Sequence, residues 1–193
     1  MAATTPPSAY DIRVSLMHIL PEIWRLIRIS ADIRMDRLHD VLQTALAWTD
    51  SHLHQFHVID AKSGTKAYVG RPDPDFEGRT PTQDETKRLL KNFLTKPGDR
   101  IGYEYDFGDS WLHEIKLTAV HAQSARLSTP LCLDGARACP PEDCGGPSGF
   151  QDVLAALANR KRAHKDLIEW LGDYDPAAFD LGAVNRLLAK RRI

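Results

Sequence analysis

Hydrophobic and polar positions alternate through the first part of the chain, the pattern that extended backbone sorts onto two faces. YDIRVSLMHI (10–19) predicts a strand, Pro21 interrupts it, and IWRLIRIS (23–30) predicts the next. The period then changes. In MDRLHDVLQTALAW, Leu38, Val41, Leu42, Ala45 and Leu46 recur at i, i+3, i+4, i+7 and i+8, one face of a helix, with Asp36 near the positive end of its dipole. HLHQFHVID (52–60) returns to alternation and puts Phe56 and Val58 on the same side as His52 and His54. KAYVG, after the turn AKSG, predicts a short partner strand. From Arg71 to Thr86 the chain is polar and rich in Pro, Gly and Asp, as in a long surface loop. TKRLLKNFL predicts a short helix, residues 100–120 a hairpin, and residues 124–149 irregular structure. The last third is helical. Phe150, Val153, Leu154 and Leu157 mark one helix, and HKDLIEWLG a second that ends at Gly172. A third begins at Asp180 as N-cap, with Leu181, Val184, Leu187 and Leu188 inward and Phe179 stapled onto Val184. This order predicts α+β architecture: a disordered lead over 1–9, then a single domain over 10–193 in which helices pack a twisted, mostly antiparallel sheet.

The hairpin tip reads YDFGDSW (105–111). Asp-Phe-Gly also holds magnesium in protein kinases, but the glycine-rich phosphate loop, the strand lysine and the upstream His-Arg-Asp of that chemistry are absent. A two-residue turn at Gly108-Asp109 suits the strands instead. It pairs Asp106 with Trp111 and Glu104 with His113, and so puts Glu104, Asp106, Trp111, His113 and Ile115 on one face and Tyr103, Tyr105, Phe107 and Leu112 on the other. Two readings stand. Glu104 and His113 are an ordinary cross-strand pair with Asp109 serving the turn, or the face lines a pocket where carboxylates and histidine bind a cation or move a proton.

The bulk numbers narrow the classes. With 193 residues, 42% hydrophobic and 26% charged, the chain has the composition of a globular domain. A formal net charge of −1 offers no global field for nucleic acid or an anionic membrane. No apolar run approaches the roughly 20 residues that span a bilayer, and MAATTPPSAY lacks the features of a secretory signal, so a cytoplasmic protein that engages no membrane is expected.

The three cysteines all lie within CLDGARACPPEDCGGPSGF. Their spacing contains no CxxC pair, and again two readings stand: buried free thiols, or a zinc site of Cys132, Cys139 and Cys144 completed by an outside ligand such as His113. Pro140-Pro141 forces extended backbone and Gly145-Gly146 permits a left-handed turn, which holds Glu142 and Asp143 at a bend. There they cap a helix, join the acidic face or stay solvated. His39, His52, His54 and His57 share one helix–strand unit, and two readings stand for His52 and His54: hydrogen-bonded structural groups on a half-buried strand, the more usual role, or a pair at a workable metal-ligand spacing. Arg25, Arg28, Arg34 and Arg37 form a basic cluster open to nucleic acid, although no reader motif accompanies it.

PEIWRLIRI, RLHDVLQTALAWTDSHLHQF, YEYDFGDSWLHEIKL, CLDGARACPPEDCGGPSGF, and EWLGDYDPAAFD followed by Asn185 resemble, in that order, the motifs of the plasmid pRiA4b ORF-three-like family, whose members also carry insertion-element passenger or TnpR-like labels. The resemblance implies an α+β domain and no established activity; a serine-recombinase pattern is absent. The leading expectation is a binding or accessory protein, associated with mobile elements or nucleic-acid metabolism, whose site lies between the 104–113 hairpin and the 139–146 loop. The alternative is a metal-dependent hydrolase of phosphoesters, with zinc or another divalent cation held by Asp106, Asp109, Glu142 or Asp143 and with His113 as acid or base.

Overall fold

The computed structural model describes residues 8–59, 64–72, 82–122, 127–159 and 165–191. Eight strands form one sheet in the order β5-β4-β3-β6-β7-β1-β2-β8, antiparallel throughout except between β4 and β5. The strands are β1 (Ser8–Leu16), β2 (Trp24–Ser30), β3 (His54–Ile59), β4 (Lys66–Gly70), β5 (Thr82–Asp84), β6 (Arg100–Tyr105), β7 (Trp111–Ala122) and β8 (Leu131–Ala136). The helices are α1 (Met35–Leu46), α2 (Gly146–Ala158), α3 (Lys165–Leu171) and α4 (Leu181–Leu188). The α+β expectation holds, and ordered sheet begins at Ser8 rather than residue 10. Among the described residues no helix is long and apolar enough to cross a membrane.

Helix α1 forms where the periodicity places it, and its apolar stripe of Leu38, Val41, Leu42, Ala45 and Leu46 is buried. His39 and Gln43 on the same helix are also buried and reach the Tyr103 hydroxyl of β6, which fixes which sheet face α1 covers. On β2, alternation brings Arg25 inward with Ile27 and Ile29. Its guanidinium donates to the carbonyls of Ala45, Trp24, Ala136 and Arg137, so it closes the end of α1 and clamps β8. Carbonyl dipoles at a helix C-terminus are a favourable setting for a cation.

Four local expectations are corrected. Residues 86–94 do not form a helix. They fold as two short 3₁₀ turns (Glu85–Lys87 and Leu90–Asn92), because Arg88–Leu90 is held extended against Ile33–Met35 by backbone hydrogen bonds. The loop expected to Thr86 contains β5, paired with β4 from Thr82; its stretch from 73 to 81 lies outside the described residues. The segment expected to be irregular contains β8, whose free edge is covered by the Asn185 amide of α4, donating to the Cys132 carbonyl and accepting from its N–H.

The fourth correction is the hairpin register. Tyr105 faces Trp111, Tyr103 faces His113, and Glu104 faces Leu112, one place away from a two-residue turn. The connection is a five-residue loop, Asp106–Ser110, with Asp106 (φ 58) and Ser110 (φ 52) both left-handed. It is closed by the Ser110 N–H on the Asp106 carbonyl, while the Asp106 carboxylate accepts from the N–H groups of Gly108 and Asp109. One residue of slip exchanges the faces. Tyr103, Tyr105, Trp111, His113 and Ile115 therefore point together into the core, Glu104 points the other way, and Phe107 stands exposed at the tip.

Candidate functional site

The hairpin tip and the Pro140–Gly146 loop do meet, but as a closed joint. Asp109 Oδ2 accepts from the Gly145 N–H at 3.1 Å, and a side chain on Gly146 would lie 2.5 Å from the Asp109 carbonyl. Glu142 accepts from the Tyr105 hydroxyl at 2.6 Å, from the Thr49 N–H and from the Thr49 hydroxyl. Burial raises its pKa, and these hydrogen bonds outweigh that and hold the carboxyl below its usual range. Tyr105 is raised, by burial and then by Glu142. The Trp48 indole adds a hydrogen bond to the Pro140 carbonyl. Together these bonds seat the loop on the turn that follows α1.

His113 lies inside this joint and is fully buried. Its Nδ1 meets the Tyr103 carbonyl at 3.3 Å, and its ring meets Trp48 edge-on with centroids 5.3 Å apart. Its Nε2 makes no hydrogen bond within the described fold. Burial pushes its pKa down to about 4. A neutral, solvent-free imidazole packed in the core is a structural group and is not exposed to a substrate.

The open feature lies beside the joint. A cleft of about 1280 Å³ is lined by α1, the 50–55 segment, β5 and the turn after it. His39, His52 and His54 line it, with five carboxylates (Asp36, Asp40, Asp50, Asp84 and Glu85) against two guanidinium groups (Arg37 and Arg71). Two sets of donors converge there or at its edge, each within 4.8 Å: His39, Asp50 and His54, and His52, Asp106 and Asp143.

The first set is held from behind. The His39 and His54 rings stack face to face, with centroids 3.4 Å apart and planes 5° apart. His39 Nε2 meets Asp50 Oδ1 at 2.8 Å, and His39 Nδ1 meets the Tyr103 hydroxyl at 2.8 Å. Gln43 ties the set together: its amide donates to the Tyr103 oxygen, and its carbonyl accepts from the Asp50 N–H. His54 Nε2 meets Glu85 Oε2 at 2.8 Å. Burial, then the neighbouring His54, lowers the pKa of His39 and keeps it neutral, the form a metal ligand requires. Metal-binding histidines characteristically hold their second nitrogen on a carboxylate or hydroxyl in this way.

Other expected residues fall elsewhere. Cys132 lies on β8, Cys139 beside the Arg25 guanidinium, and Cys144 in the turn before α2; among the described residues the three sulfurs do not converge with one another or with His113. Burial raises all three thiols, Cys139 to about 11 and Cys144 to about 12. His57 points away from the cleft, onto Glu104, which also accepts from Gln55 and Ser110. The four arginines form no free basic face. Arg25 is buried, Arg28 forms a two-pronged pair with Asp11, Arg34 pairs with Asp36, and Arg37 with Asp40. Asp50 and Glu85 had no local sequence signal. The His52/His54 spacing and the grouping of His39 with them pointed to the cleft.

The comparisons agree with one another. The profile of the family described as plasmid pRiA4b ORF-3-like protein matches residues 8–183. The chain is 35% identical over 182 residues to Uncharacterized protein y4hQ of Sinorhizobium fredii, covering 93% of this chain and 90% of that one. A crystal structure of a protein of unknown function, MM3350 from Methanosarcina mazei Go1, superposes with a TM-score of 0.83 at 31% identity, covering 93% of this chain and 97% of the other. On sequence and fold alike, this chain belongs to the plasmid pRiA4b ORF-3-like family.

Proposed function

We propose that the cleft is a metal centre and the protein a metal-dependent hydrolase, with a divalent cation of the zinc or manganese class held by His39, Asp50 and His54. One observation carries this reading: ligand-capable atoms of two imidazoles and a carboxylate lie within 4.8 Å of one another at the wall of an open acidic cleft, with His39 held by Tyr103, His54 by Glu85 and the Asp50 backbone by Gln43. Two histidines and one carboxylate leave coordination positions open for water and substrate. A cation there would supply an acidified water and offset the charge of a phosphoester, with Arg71 in the cleft lining to meet phosphate oxygens. The reaction consumes one water and one phosphoester: the water oxygen bonds phosphorus, the bond to the alcohol oxygen breaks, and a proton from water ends on that alcohol.

His39 serves the centre through a change of tautomer. When the Nδ1–H donates to the Tyr103 oxygen, Nε2 is left with a free lone pair. Tyr103 and Gln43 therefore position the ligand without touching the substrate.

The expectation of a binding or accessory role in nucleic-acid metabolism has less support, because the arginines that would carry it are engaged within the fold. The test is turnover of chromogenic phosphomonoester and phosphodiester substrates by protein dialysed against chelator and then loaded with zinc or manganese. Metal-dependent turnover that falls about 100-fold or more in His54→Ala supports the hydrolase. Metal bound without turnover returns the protein to the binding or accessory class, and no bound metal overturns the centre itself.

A further inference from the structure

The second donor set sits where three segments distant in sequence meet. His52 comes from the turn before β3, Asp106 from the hairpin tip and Asp143 from the Pro140–Gly146 loop. His52 Nε2 lies 3.2 Å from Asp143 Oδ1 and 3.6 Å from Asp106 Oδ2, yet it makes no hydrogen bond to either, although the atom itself is buried. A buried nitrogen beside two carboxylates and hydrogen-bonded to neither has bonding capacity that the protein's own groups do not fill.

The His52 nitrogen stands from the two carboxylate oxygens at close to the spacing of ligands on one ion, and all three atoms lie within 4.8 Å of one another. Donors about 2.0–2.2 Å from a zinc-class cation at tetrahedral or octahedral angles stand roughly 3.0–3.5 Å apart. The free oxygen of Asp106 is the one that faces His52, because its Oδ1 is occupied by the N–H groups of Gly108 and Asp109. Asp143 is presented by its neighbour Glu142, which is tied to Tyr105 and Thr49. The exposed Asp143 side chain keeps one side of the set open to water.

We propose that His52, Asp106 and Asp143 form a second cation site at the edge of the cleft, one that ties the Pro140–Gly146 loop to the hairpin tip. It stands on its own geometry and does not require that the His39–Asp50–His54 centre be filled. Because His52 also lines the cleft, an ion there lies beside the space in which the substrate is expected.

The experiment is equilibrium dialysis of the full chain against zinc, followed by elemental analysis of metal per protein. Wild type, Asp143→Asn, His52→Gln and His54→Ala are compared. Asp143→Asn is the primary variant, because its side chain is exposed and holds no part of the core. It is expected to carry one ion fewer per chain than wild type, and His52→Gln likewise. His54→Ala removes the other ion: two in the wild type become one in each single variant, and none when His54→Ala and Asp143→Asn are combined. If wild type and His54→Ala each hold one ion and Asp143→Asn holds none, the second site stands and the first fails. If Asp143→Asn retains every ion the wild type holds, the second site is overturned.

Discussion

At the scale of single residues, burial decides what each titratable group does. His113 has the sequence setting of an acid–base residue, between an indole and a carboxylate, but sits in a dry core where only its neutral form is stable. Its folded pKa of about 4 lies below the ordinary histidine value of 6.5, so the unfolded chain takes up the proton first on acidification. The stabilisation is full above about pH 6.5 and disappears as pH falls to about 4, on the order of 3 kcal/mol over that window. Urea unfolding at steps between pH 7 and 4 is expected to show this slope in wild type and a flatter one in His113→Leu. An unchanged slope would mean that other groups set the acid response. Arg25 makes the converse point. It read as part of a cationic surface, yet it lies inward on β2, its charge satisfied by four backbone carbonyls and its guanidinium stacked over Phe179, with 4.4 Å to the ring centroid.

At the scale of elements, periodic signals proved legible and irregular ones did not. The five apolar positions of α1 predicted its buried face, because a helix repeats its geometry every turn. The Asp180 N-cap is present and accepts from the Ala183 N–H. The hairpin register was not legible, because it is set by Asp106 and Ser110 adopting left-handed backbone that a glycine-based reading assigns elsewhere. The error mattered: it moved Glu104 to the wrong face and brought His113 out of the core. Strand β8 lacked a signal because its partner on one side is a side chain, Asn185. The Pro140–Gly146 loop meets the hairpin as a closed joint where a cleft was expected, and its acids divide: Glu142 is a latch and Asp143 remains open. In Glu142→Gln the charged acceptor is lost, which at about 1.5–3 kcal/mol for bonds to a charged group should raise amide exchange at Gly145 by roughly tenfold or more. The same loosening is expected in acid: the depressed carboxyl contributes above the ordinary glutamate range, and the contribution is lost as pH falls through its lower folded value. Unchanged exchange at Gly145 would place the closure in the Asp109 contact alone.

At the scale of the whole molecule, the sheet carries α1, β3 and the β4–β5 pair to one side and builds an acidic cleft between them. This is why the site was largely hidden in the sequence. His39 comes from a helix, Asp50 from a turn, His54 from a strand and Glu85 from a turn placed by the parallel pairing of β5 with β4. No spacing rule joins residues gathered in this way. Five carboxylates and two guanidinium groups line the cleft, with Arg34 and Lys87 paired onto Asp36 and Asp84; on the proposed reading a metal ion is its first occupant and the condition for any phosphate that follows. The most direct test is anomalous diffraction from crystals of the full chain grown with zinc. For the centre as proposed, an anomalous peak is expected about 2.0–2.2 Å from a His39 nitrogen, an Asp50 oxygen and a His54 nitrogen. Zinc-soaked crystals with no peak there, and His39 still bonded to Asp50, would contradict it.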